Sequence, residues 1–118
     1  MRKKSYAFVR SHRRKWGLTQ VELARLVGLS SRSAVSRIER AERVPTTATI
    51  IACCIIFGLA TPDLFPSLQE EIEEIVCLAV AAIQEELANQ SDKVSVRKRA
   101  LLTQILERVN NRKQKSDL

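Results

Sequence analysis

Apolar residues recur along this chain at helical rather than alternating spacing, in segments punctuated by glycine and proline. The first runs from about Ser5 to Trp16. It sets Phe8, Val9, His12 and Trp16 on one face and Arg10, Arg13, Arg14 and Lys15 around the rest, and Gly17 is its stop. Thr19 opens the second helix. With Glu22 it makes a T-x-x-E capping box, in which each side chain satisfies a free backbone amide. Val21, Leu23, Ala24 and Val27 give it inward contacts, and Gly28 ends it. After the turn Leu29-Ser30, a third helix is predicted over about 31–40, anchored by Val35 and Ile38. A fourth starts near Thr46 or Thr47, carries Ile50, Ile51, Cys54, Ile55 and Phe57, and stops at Gly58. Thr61-Pro62-Asp63-Leu64-Phe65 reads as a short fifth helix, with Thr61 as cap and Pro62 at its first position. Pro66 closes this module.

From Ser67 the pattern lengthens. Leu68, Ile72, Ile75, Val76, Ala79, Ile83 and Leu87 keep helical spacing over about 20 residues. Asn89 to Asp92 breaks the pattern. A last helix over about 93–110 places Val94, Leu101, Leu102, Ile105 and Val109 on a stripe, and the polar residues after Asn111 are expected to fray. The fold class is therefore all-α: a five-helix domain over residues 1–66, then two amphipathic helices over 67–118. With so few aromatic residues, the core must be built from Leu, Ile, Val and Ala.

Charge is distributed unevenly. Residues 1–66 hold twelve basic and four acidic side chains, residues 67–90 hold six acidic and no basic ones, and residues 91–118 hold eight basic and three acidic ones. A basic module attracts nucleic acid by releasing counterions from the phosphates that it neutralises. The apolar run Ala48 to Ala60 is shorter than the ~20 residues that span a bilayer, and reads as a buried helix. No apolar core region follows the basic N-terminus, so a secretory signal is not expected. Cys53, Cys54 and Cys77 are odd in number and lack metal-ligand spacing, which fits a reduced, cytoplasmic protein with neither metal nor cofactor.

The informative stretch is LTQVELARLVGLSSRSAVSRIER, Leu18 to Arg40. It holds two short helices around a glycine, the second rich in serine and arginine. A helix-turn-helix needs that arrangement, one helix to brace and one to enter the DNA major groove. The segments GLTQVELARLVGLS, AVSRIERAERVP and FGLATPDLF resemble the Cro/repressor-type helix-turn-helix family, also called xenobiotic-response-element-like, over Ser5 to Pro66. The resemblance implies a compact five-helix DNA-binding domain working as a homodimer on a two-fold operator. Gln20 then matches the phosphate-binding glutamine of the bracing helix. Arg32 and Ser33 match the start of the recognition helix, Ser36 and Arg37 its groove-facing turn, and Arg40 and Arg43 the basic positions beyond it. Arginine can grip guanine O6 and N7 bidentately and serine is an adaptable short partner, so the chemistry fits independently. Glu39 would be repelled by phosphates and is expected to make an internal ion pair or cap.

Two departures bear on register. The turn GLSSRSAVS holds one residue more than the commonest form of the family, so base reading at Ser31, Arg32 and Ser33 can shift by one place. Ala41 stands where glycine is usual. A left-handed backbone there would cost alanine roughly 1 kcal/mol, which favours continuation of the helix into Glu42.

The function read from these features is a sequence-specific double-stranded DNA-binding transcriptional regulator, a homodimeric repressor. Ile72, Ile75, Ala79, Ile83 and Leu87 are expected at its dimer interface, with an intramolecular core as the alternative for them. A second reading is an antitoxin-like protein whose C-terminal helices hold a partner protein while the first half binds the operator. Catalysis is not expected, because the single His12 fits a packed position and the sequence supports neither a phosphate loop nor a nucleophile–histidine pair. The shortage of aromatics for stacking bases disfavours RNA.

Overall fold

The computed structural model describes residues 7–116, and among these it has seven helices and no strand. Ser5, where the pattern began the first helix, lies outside the described residues. The chain divides into two compact units between Glu70 and Glu71.

The first unit holds α1 (Ala7–Lys15), α2 (Gln20–Val27), α3 (Arg32–Glu39), α4 (Thr47–Phe57) and α5 (Thr61–Leu64). Their core is Val9, Leu23, Ala24, Val35, Ile38, Cys53, Leu64 and Phe65, with Val27, Leu29, Ile50 and Leu68 packed around it. Phe65, Leu23, Leu64 and Val9 are its largest fully buried side chains. Phe8 and Trp16, expected inside, are exposed. The inward line of α1 instead runs through Val9 and Arg13, and the Lys15 ammonium sits 5.6 Å from the Trp16 ring centroid. His12 is partly buried, its ring 5.8 Å from that of Phe57.

The capping box of α2 forms in both directions, Glu22 N–H to Thr19 Oγ1 at 3.0 Å and Thr19 N–H to Glu22 Oε1 at 2.9 Å. At its other end Gly28 takes a left-handed backbone, and the Leu29 amide donates to the Ala24 carbonyl. This closing turn satisfies carbonyls that the helix leaves free. α3 ends by the same device on a different residue. Ala41 sits at φ 59, its amide donating to Ile38 O and that of Glu42 to Arg37 O. The helix therefore does not continue into Glu42. Two carbonyl partners at the turn offset the steric cost that alanine bears there.

Three further expectations need correction. α4 is apolar around its whole circumference, yet only Thr49 and Cys53 are fully buried, while Ile51 and Ile55 stand exposed. The cap of α5 is Ala60 rather than Thr61, whose hydroxyl lies 3.9 Å from Cys54 Sγ. Pro66 does not close a module but opens α6 (Pro66–Leu87), at the first helical position, where its missing N–H costs nothing.

The second unit contains α6 from Glu71 onward and α7 (Lys93–Ser116). The break predicted at Asn89 to Asp92 is present, and Asp92 caps α7 by accepting from the Ser95 amide at 3.1 Å and hydroxyl at 2.7 Å. Arg99 donates to the Leu87 carbonyl near the connection, and the Arg112 guanidinium grips the Glu73 carboxylate at the far end. The two helices thus fold back as an antiparallel hairpin, with Glu73, Val80, Ser95 and Leu102 buried. α7 runs on to Ser116, so the fraying expected after Asn111 is not seen.

Candidate nucleic-acid interface

The two faces of α3 differ completely in chemistry. Ala34, Val35, Ile38 and Glu39 are buried against the rest of the unit. At 100° per residue, Ser33, Ser36, Arg37 and Arg40 fall on the opposite side. Arg37, Arg40 and Ser33 are exposed and Ser36 is partly buried, so the structure gathers them into one outward face. Arg32 stands exposed at the helix start. Ser31 holds the cap position with extended backbone, but its side chain makes no capping hydrogen bond. Arg43 is exposed in the loop beyond, and Arg40 makes a solvent-exposed contact of 3.2 Å with Glu42. Such exposed pairs contribute little and leave the guanidinium available to a stronger anion.

A buried network fixes the attitude of this helix. Arg13 of α1 donates through Nε to Glu39 Oε2 at 2.6 Å and through Nη2 to Oε1 at 3.1 Å. Its third donor, Nη1, reaches the Leu18 carbonyl at 2.9 Å. Gln20, at the head of α2, donates from Nε2 to the same Glu39 Oε1 at 3.1 Å. One carboxylate therefore holds α1, α2 and α3 together, and it is the internal ion pair anticipated for Glu39. Bidentate charge-assisted bonds of this kind fix direction as well as distance.

Sequence reasoning missed three arginines. Arg13 was assigned to the solvent side of α1, because an amphipathic reading puts every guanidinium outside. Arg10 and Arg14, which the sequence places only on the polar side of α1, line one open depression with Gln20 and Arg32 at the start of α2. Their i, i+4 spacing on α1 was the available signal. Arg13 lines the depression too, its guanidinium engaged by Glu39, so cationic side chains gather there beside a helix N-terminus, an environment suited to a phosphate. Beside it, hydrogen bonds from the Thr19 backbone and side chain hold the Glu22 carboxyl below its ordinary value.

Residues 7–68, the span that contains all of these elements, match a family model described as a helix-turn-helix domain. No curated protein and no solved structure matches the chain.

Proposed function

The chain belongs to the helix-turn-helix domain family of DNA-binding regulators, and from that premise we propose that it is a sequence-specific repressor acting as a homodimer on a two-fold operator. The observation that carries this reading is the outward face of α3. Ser33, Ser36, Arg37 and Arg40 point away from a helix locked from behind by Arg13, Glu39 and Gln20. In the proposed complex α3 lies in the major groove with Arg37 and Ser33 at base edges, where arginine gives bidentate contact to guanine. Gln20, Arg10, Arg14 and Arg32 meet phosphates at one flank, and Arg40 and Arg43 at the other. A second copy supplies the other recognition helix about 34 Å away, one turn of DNA. The reading is of the Cro/repressor type, a binding protein rather than an enzyme, acting on cytoplasmic DNA. Among the described residues no helix is long and apolar enough to cross a membrane.

The test is selection of binding sites from a random duplex library at physiological salt. The expected outcome is one enriched sequence with two-fold symmetry. Equal affinity for all duplexes would overturn the assignment.

A further inference from the structure

The hairpin of α6 and α7 leaves much of its apolar surface uncovered. On α6, Ile72, Val76 and Ile83 are 38 to 51% exposed, and on α7 Val94 and Leu101 are 49 and 51% exposed. Helical geometry places these residues on one common side, whereas Ile75, expected with them and 62% exposed, lies about 70° outside that line, and the exposed Leu78 and Val96 fall on other faces. Counting 100° per residue, the α6 line Ile72–Val76–Ala79–Ile83 lies about 80° from the line through Glu73 and Val80 that meets α7. The α7 line Val94–Leu101–Ile105 lies about 90°, in the same rotational sense, from the line through Ser95 and Leu102 that meets α6. Because the helices run antiparallel, similar rotations in the same sense bring both stripes to the same face of the hairpin. Isolated proteins rarely leave such a patch open to water.

We propose that this face binds the same face of a second copy, closing a four-helix bundle in which α6 of each chain lies beside α7 of the other. The inference rests on the homodimer reading and adds its site and arrangement. Charge selects the occupant and the orientation. Within residues 67–90 every charged side chain is acidic, whereas residues 91–118 are predominantly basic. Glu86 borders the stripe of α6, and Arg97 and Arg108 border that of α7. A two-fold axis parallel to the helices sets acidic edge against basic edge. The alternative axis, perpendicular to them, would set α6 against α6 and repel.

Analytical ultracentrifugation of the full chain tests this. The wild type is expected to sediment as a dimer. Ile83→Glu should raise the dimer dissociation constant at least about thirtyfold while keeping the helical circular dichroism, whereas Ile51→Glu, on α4, should leave it unchanged. Glu86→Arg should weaken the dimer, and adding Arg97→Glu should restore it. A monomeric wild type overturns the homodimer reading and this proposal together. A wild-type dimer that Ile83→Glu leaves intact, or that Ile51→Glu dissociates, overturns only the proposed face. A dimer that Glu86→Arg strengthens overturns the orientation.

Discussion

Arg13 and Glu39, 26 residues apart, meet in a buried bidentate ion pair behind the outward face of α3. Removing one partner strands the other charge away from water, a loss of about 3–5 kcal/mol in comparable sites. That is a large share of the stability of a small domain. Glu39→Ala is therefore expected to be severely destabilising, and Arg13→Met nearly so. Their combination with an apolar residue at position 39 should recover much of the loss, because no charge is then stranded. Denaturant unfolding of the singles and the double checks this, and a Glu39→Ala protein as stable as wild type would refute the structural role.

Ala41 adopts the left-handed backbone that glycine supplies at the end of α2. Replacing Gly28 by alanine should cost stability, whereas Ala41→Gly should add about 1 kcal/mol by relieving contact between its Cβ and the backbone. The measurement is a shift of the urea midpoint to higher concentration at unchanged slope. An unchanged or lower midpoint would show that Ala41 bears no such strain.

These two positions show what was legible in the sequence. Local rules that act within a few residues could be read directly: Thr19 and Glu22 announce their capping box, and Gly28 its helix stop. Glu39 was legible as an internal partner, since phosphates would repel it, but its mate was not. Arg13 lies 26 residues away, and nothing local separates it from Arg10 and Arg14, which stay outside. Ala41 misled because side-chain preference alone favours continued helix there, while the turn is decided by hydrogen bonds to Arg37 and Ile38. The buried side of α4 is not legible for a similar reason. An all-apolar helix carries no sequence signal of which side will find a partner, so Ile51 and Ile55 could not be told from Cys53.

The arginines of the proposed interface should separate by readout. Arg37→Ala is expected to cost about 1–3 kcal/mol at the selected operator and relax preference at one base position, whereas Arg43→Ala should weaken all sites alike. Arg14→Ala, in the depression at the head of α2, should leave base preference intact and reduce the slope of log affinity against log salt by about 0.9. Competition binding at several salt concentrations distinguishes the three. Identical discrimination by wild type and Arg37→Ala would remove that residue from the base-reading set.

Cys53 gives the fold a pH dependence at the alkaline end. Burial in the core beside α5, with a smaller repulsion from Cys54, pushes its thiol from 9.0 up to about 11. The folded state thus keeps the proton to higher pH than the unfolded chain does. Stability from this group is fully present below about pH 9 and is lost as pH rises toward 11. Cys53→Ala should abolish that share of the decline, so the stability difference between variant and wild type should shift in the variant's favour across the same window. Thiol chemistry gives a second check. In the native protein at pH 8 a disulfide reagent should label the partly exposed Cys54 and Cys77 ahead of Cys53, which becomes reactive on unfolding. Labelling of Cys53 at the rate of the other two in folded protein would mean that this thiol is not held in the core.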